Sequence, residues 1–280
     1  MIVLIGGSGR FGQALAKFHA NDLILRIPKR MYAPWHDQKL IPQVTAFFSG
    51  ISGSDAETKI YIPAGVLDPL ADPSELDRVN AQIPINVIKA TRDLNVRIVT
   101  FGTILEAVEE IENHYVNSKR RLANYVDEIA KCGEHVHHLR IHTVYGGDAF
   151  PAPFMFLGHI LKALNQQSTF QMTSGRQLRE YHHIDDDVIA INTIANSTAI
   201  GIREISHGNP IELRELATTI FSRFKQSSRL QIGAISDPKS EIRGRRFQAP
   251  LEFSNVSFRE ASEGCIDYLK VCLAKMDANS

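Results

Sequence analysis

Short, wholly apolar runs alternate along the first half of the chain with segments whose apolar positions recur every three or four residues. Ile2-Val3-Leu4-Ile5 is apolar throughout, β-branched at three positions and stopped at once by Gly6-Gly7. That is the pattern of a strand buried on both faces. Residues 10–20 then carry Phe11, Leu15 and Phe18 at helical spacing and close at Asn21-Asp22. Leu23-Ile24-Leu25 predicts the next strand and residues 59–62 another, which ends at Pro63-Ala64-Gly65. A helix is predicted over 73–94, a strand over 96–100, a helix over 115–130 and a strand over 136–141. Strands alternating with helices predict an α/β fold, a doubly wound parallel sheet covered on both faces. From Phe150 the alternation loosens, and a final helix near 261–275 points to a smaller C-terminal α/β lobe. The expected division is 1–147 with 181–205 for the first domain, and 148–180 with 206–280 for the second.

Composition narrows the function classes. Lys+Arg and Asp+Glu balance at 31 each, so the charge signature of a nucleic-acid binder is absent. Cys132, Cys265 and Cys272 are scattered without metal-ligand spacing, which predicts a reducing, cytoplasmic setting. The longest apolar run, 151–164, contains His159 and Lys162 and is too short to span a bilayer. Because a strand-like run starts at Ile2, no secretory leader is expected.

Gly6-Gly7-Ser8-Gly9-Arg10-Phe11-Gly12 lies between the first strand and the first helix. Glycines at 6, 9 and 12 suit a tight turn, close backbone approach to a pyrophosphate and close helix–strand packing, the dinucleotide fingerprint of a Rossmann sheet. The following helix N-terminus offers its amides to the anion. An NAD site wants a carboxylate at the end of the second strand. Here that stretch reads Leu23-Ile24-Leu25-Arg26-Ile27-Pro28-Lys29-Arg30, with three cations and no acid. Arg26, with Arg10 in the loop, suits a 2′-phosphate, so NADP(H) is expected over NAD(H). A solvated basic edge is the plainer alternative.

Tyr115-Val116-Asn117-Ser118-Lys119 stacks a phenol and an ammonium on one helix face. A neighbouring ammonium favours the phenolate and suits the tyrosine to proton transfer. The preceding strand ends in Thr100-Phe101-Gly102-Thr103, which sets a hydroxyl at the carboxyl edge of the sheet, where open α/β sheets bind ligands.

With these residues in place the chain resembles the extended short-chain dehydrogenase/reductase family, of the NAD-dependent epimerase/dehydratase type. Arg78-Val79-Asn80 resembles that family's V-N segment, and Leu139-Arg140-Ile141-His142-Thr143-Val144-Tyr145-Gly146 its L-R-x-x-N-V-Y-G strand end. Arg179-Glu180-Tyr181-His182-His183-Ile184-Asp185-Asp186 resembles its R-D-F-V-Y-V-D-D segment, and Glu204-Ile205-Ser206-His207-Gly208 its return strand. The resemblance implies Tyr115 as the acid/base, Lys119 as its modulator and Thr103 as the positioning hydroxyl. It implies cofactor contacts at Gly6, Gly9, Arg10, Phe11, Gly12, Arg26, Ala64, Asn80, Tyr115 and Lys119. Substrate contacts are implied at Thr103, Thr143, Arg179 and Arg246, although Thr143 replaces the family's asparagine.

A nucleotide-sugar substrate and a homodimer are implied as partners, with the cleft between the lobes as the place of catalysis. Dehydratases of the family carry Asp-Glu directly after the threonine, whereas Thr103 is followed by Ile104-Leu105. The pattern is closest to nucleotide-sugar 4-ketoreductases such as the CDP-paratose and CDP-abequose synthases. A 4-epimerase that retains its cofactor, and a non-catalytic NADP sensor, are the alternatives. Glu106 is assigned no role. Neither the histidines at 135, 137, 138 and 142 nor Asp185-Asp186-Asp187 is read as a metal site, since strand alternation separates His137 from His138 and an acidic helix start accounts for the aspartates.

Overall fold

A computed structural model describes residues 1–52, 57–237 and 247–278. In chain order the elements are β1 (Ile2–Ile5), α1 (Arg10–Phe18), β2 (Ile24–Ile27), α2 (Lys29–Tyr32), α3 (Ile41–Ile51), β3 (Thr58–Ile62), α4 (Pro73–Asp77), α5 (Ile83–Ala90), β4 (Val96–Thr103), α6 (His114–Ala130) and β5 (Val136–Ile141). They continue with β6 (Thr143–Tyr145), α7 (Phe156–Asn165), β7 (Phe170–Met172), β8 (Leu178–Arg179), β9 (Tyr181–His183), α8 (Ile184–Ala195), β10 (Gly201–Glu204), β11 (Ile211–Glu212), α9 (Leu213–Arg223), β12 (Leu230–Ile232) and α10 (Ala261–Asp277). The chain forms two compact units, Met1–Ile141 with Val188–Ile205, and His142–Asp187 with Ser206–Ser280. Among the described residues no helix is long and apolar enough to cross a membrane.

The first unit is built on a six-stranded sheet in the order β10-β5-β4-β3-β1-β2, parallel at every pairing. β1 lies between β2 and β3, so the chain leaves it to one side and returns on the other. That reversal is the switch point where ligands of open α/β sheets bind. Val3, Ile5, Ile60 and Ile62 face a core completed by Val44 and Phe48 of α3 and by Val87 of α5, all essentially without exposed surface. Burial of this kind, at about 25 cal/mol per Å² of apolar surface, is what holds helices onto a sheet.

The helix predicted over 73–94 is interrupted. Between α4 and α5, Arg78–Gln82 forms a π-helical turn, and the helix ends at Ala90. Asn80, on that turn, accepts from the Val66 amide (2.8 Å) and donates to the Val66 carbonyl (3.0 Å), as a strand neighbour would. This tie to the loop after β3 accounts for the extra residue in the turn, a common cause of π geometry at functional positions.

Among the described residues the second unit carries three two-stranded pairs, β6-β9, β7-β12 and β8-β11. Its core joins Ile160 and Leu164 of α7, Leu216 and Ile220 of α9, and Ile266 and Leu269 of α10.

Candidate active site

β1 delivers the chain to Gly6, whose φ of +99° few side chains tolerate. A Cβ there would lie 2.5 Å from the Ala64 nitrogen, so the loops after β1 and β3 meet backbone to backbone. The Ala64 amide donates to the Ile5 carbonyl at 3.0 Å and the Gly9 amide to the Gly6 carbonyl at 3.0 Å. Gly9 is the N-cap of α1 and supplies no side-chain cap to the first helical amides, an arrangement suited to an anion. Gly12 is buried in the first turn of α1. The aliphatic stem of Arg26, exposed near the end of β2, runs alongside Gly7. Arg10 opens α1, and the Phe11 ring packs on Phe101 of β4 at 5.3 Å between centroids. Asn80 Nδ2 also donates to Ser118 Oγ of α6 (3.1 Å). The sequence-predicted cofactor residues Gly6, Gly9, Arg10, Phe11, Gly12, Arg26, Ala64 and Asn80 all lie on the first unit, on the loops after β1 and β3, the start of α1, the end of β2 and the π turn before α5.

α6 begins at Asn113, whose side chain accepts from the Val116 amide at 2.9 Å. That cap opens the helix whose first turn carries Tyr115, and the Thr103 hydroxyl at the end of β4 is close enough to act on its phenol. One turn on, Lys119 is buried and donates through Nζ to the Phe101 carbonyl at 2.8 Å. Burial pushes the Tyr115 phenol up to about 12, against the Thr103 hydrogen bond and with the help of the Glu106 charge. Burial brings Lys119 down to about 8, with the Glu106 charge opposing it. Burial is the largest influence on both groups, and the Tyr115 phenol keeps its proton at neutral pH.

Glu106, given no role from the sequence, lies next to Thr103. Its side chain has no exposed surface, and it forms a capping box with Thr103 on the turn Ile104–Ala107. The spacing Thr-x-x-Glu was the available signal. Ile104, which stands where family dehydratases carry an acid, is buried and apolar.

The remaining predicted residues lie in the second unit or outside the described residues. Thr143, on β6, donates its amide to the Glu180 carbonyl at 3.2 Å. Arg179, on β8, donates to the Leu178 carbonyl and to Gln177 Oε1, both at 2.8 Å. Arg246, with the basic stretch 243–246, lies outside the described residues.

A second group absent from the sequence-based site centres on Glu180, which has no exposed side-chain surface. Glu180 accepts from His182 Nε2 (2.8 Å), Ser206 Oγ (2.7 Å) and the amides of His207 (2.9 Å) and Gly208 (3.0 Å). Glu180, His182 and His207 sit close enough to suggest a metal site. His182 Nδ1, however, bonds Asp187 at 2.6 Å while Nε2 bonds Glu180, so both ring nitrogens are occupied by carboxylates. Asp186 accepts the Arg259 amide at 2.9 Å. The acidic start of α8 is thus tied into local hydrogen bonds, with Asp187 serving His182.

The model of the NAD dependent epimerase/dehydratase family matches residues 2–204. No curated protein matches the sequence. Among solved structures the chain is similar to the UDP-glucose 4-epimerase of Thermotoga maritima, with a TM-score of 0.79 at 13% identity over 98% of this chain and 99% of that one. It is similar to dTDP-glucose 4,6-dehydratase from Streptomyces venezuelae, with a TM-score of 0.75 at 17% identity over 96% and 95%. The UDP-N-acetylglucosamine 4-epimerase from Bacillus cereus gives 0.71 at 15% identity over 96% and 98%. At these identities the solved structures speak for the fold, and the family match over most of the chain speaks for descent: this protein is an enzyme of the NAD dependent epimerase/dehydratase family.

Proposed function

We propose that this enzyme reduces the 4-keto group of a nucleotide-linked deoxysugar with NADPH. The observation that carries the reading is Tyr115 and buried Lys119 one turn apart on α6, with Lys119 Nζ on the carbonyl of Phe101, two residues before Thr103, all on the unit that holds the glycine loop. The uncapped start of α1 and the glycine cradle fit the cofactor pyrophosphate, and Arg26 beside Gly7 fits a 2′-phosphate. Bound there, the cofactor supplies a hydride to the carbonyl carbon. Tyr115 gives its proton to the carbonyl oxygen, Thr103 hydrogen-bonds the same oxygen, and Lys119 holds the ribose side and keeps a positive charge near the phenol.

The turn after Thr103 supports reduction over dehydration. Positions 104 and 105 are apolar, and Glu106 is turned inward onto the Thr103 amide (2.8 Å) and His138 (3.1 Å), so the one carboxylate of this turn is engaged away from a sugar proton. Several similar structures are of nucleotide-sugar epimerases, the Thermotoga one with UDP-glucose, which makes a 4-epimerase with retained cofactor the second reading. The intact Thr103, Tyr115 and Lys119 weigh against a non-catalytic NADP sensor. We assign Thr143, Arg179 and Arg246 to the nucleotide sugar, and a homodimer contact to α5 and α6.

The test is consumption of NADPH against 4-keto-6-deoxy and 4-keto-3,6-dideoxy nucleotide sugars. Stoichiometric oxidation is expected with one of them; isomerisation without net oxidation would establish the epimerase instead. Arg26→Asp is expected to shift the preference for NADPH over NADH by about 10- to 100-fold, the value of one lost charge-assisted hydrogen bond plus a repulsion. An unchanged ratio of the two kcat/KM values would remove Arg26 from the cofactor site.

A further inference from the structure

Below the Thr103–Tyr115 pair the first unit buries a line of ionisable groups that acid/base chemistry at Tyr115 leaves unexplained. Glu106 Oε1 accepts the Thr103 amide at 2.8 Å. Oε2 faces two basic side chains of the neighbouring strand β5, His138 Nε2 at 3.1 Å and Arg140 Nε at 3.3 Å. Beyond it, His138 Nδ1 and Thr100 Oγ1 are 2.8 Å apart. From α6, Arg120 Nε donates to the Glu106 carbonyl at 3.1 Å, and Tyr115 and Lys119 complete the groups that feel its charge. Room for this cluster exists because position 102 is glycine: a Cβ there would overlap both Glu106 Oε1 and His138 Nε2.

A turn of this kind is closed as well by a glutamine at its third position, and a buried ion pair is at best neutral for stability. What the carboxylate adds is a fixed charge one residue's backbone away from the proton-donating pair. We propose that Glu106 is a positioning residue of the proton-transfer step: closed onto the Thr103 amide and anchored from β5 by His138 and Arg140, it fixes Thr103 and places a fixed negative charge near the Tyr115–Lys119 pair. This rests on the role given above to Tyr115. Burial pushes the Glu106 carboxyl up, but the hydrogen bond and charge of His138, the Thr103 amide and the Arg140 guanidinium reverse this and hold it below the usual carboxylate range. The charge is therefore present throughout neutral pH, where it raises both Tyr115 and Lys119.

Glu106→Gln keeps the shape and an oxygen for the Thr103 amide but removes the charge. It is expected to bind NADPH with wild-type affinity, to leave KM little changed, and to move the alkaline limb of kcat/KM to lower pH. Glu106→Asp keeps the charge with a shorter reach, and should lose kcat while leaving that limb in place. A Glu106→Gln profile that matches wild type, or an equal displacement in both variants, overturns the proposal. Arg140→Gln, which removes a positive partner and leaves Glu106 intact, should move the limb to higher pH, and no movement there also overturns it; this variant decides the matter if Glu106→Gln does not fold. The ring-carbon resonance of labelled Tyr115, identified by its loss in Tyr115→Phe, gives a readout without substrate. If wild type turns over no 4-keto sugar the reductase reading fails, while an unmoved Tyr115 resonance in Glu106→Gln sinks the role of Glu106 alone.

Discussion

Tyr115→Phe is expected to fold, to bind NADPH as the wild type does, and to lose turnover by about 10²- to 10⁴-fold, the usual contribution of a positioned proton donor. The ring keeps its packing, and only the phenol oxygen is removed. Thr103 keeps its place because its hydroxyl still accepts the Leu105 amide (3.4 Å) and its own amide still donates to Glu106 (2.8 Å). Lys119 stays on the Phe101 carbonyl, 2.8 Å away, so the ribose side of the site is undisturbed. Stopped-flow oxidation of NADPH, run beside a fluorescence titration of cofactor binding, separates the two properties. Turnover equal to wild type would remove Tyr115 from the mechanism; lost cofactor binding would make it a structural residue.

Glu180→Ala should be the most destabilising single change in the second unit, by about 3–5 kcal/mol, the cost of breaking a buried charge network by removing one partner. It strips acceptors from His182, Ser206 and the amides of His207 and Gly208 at once. Burial pushes the Glu180 carboxyl up, yet the His182 hydrogen bond, the charges of His142 and His207 and the Ser206 hydroxyl hold it well below its ordinary value of 4.5. Burial lowers His182, and the Asp187 and Glu180 carboxylates more than reverse it, holding the imidazole above its ordinary 6.5. The signs follow from linkage. The Glu180 contribution is complete above 4.5 and is lost as pH falls through its lowered value. The His182 contribution is complete below 6.5 and is lost as pH rises through its raised value. Wild type should therefore be best supported by this network between about pH 4.5 and 6.5, and Glu180→Ala should flatten that window in urea unfolding series. Equal midpoints at pH 5.5 would show the network to be neutral.

What the sequence discloses of this molecule is what local pattern encodes. β1 and the glycine loop are legible because a strand covered on both faces is apolar throughout, and because a chain that must turn back on itself at Gly6 needs glycine there. The Tyr115–Lys119 pair is legible because helical spacing brings the two to one face. The π turn at Arg78–Gln82 is not, since Arg-Val-Asn-Ala-Gln contains no breaker; the pull of Asn80 on Val66, fourteen residues away, makes it. α3 starts at Ile41-Pro42 with no side-chain cap, and the proline of its first turn was the signal that could have found it. Glu106 and Glu180 escape for a different reason. Their partners, His138 and Ser206, stand 32 and 26 positions away, and only the packing of strands and loops brings them together. Arg179 was legible as a cation but not in its engagement with Leu178 and Gln177.

The crowding at Gly102 has a consequence for how such chains can diverge. A methyl group at 102 and the Glu106–His138 pair claim the same volume, so no single substitution can exchange one for the other through a well-packed intermediate. Relatives should fall into two groups, one with glycine at the position equivalent to 102 together with the acid and the imidazole, the other with a side chain there and neither partner. The three positions are then expected to be inherited together, so that a sequence carrying all three would have a site wired as this one is.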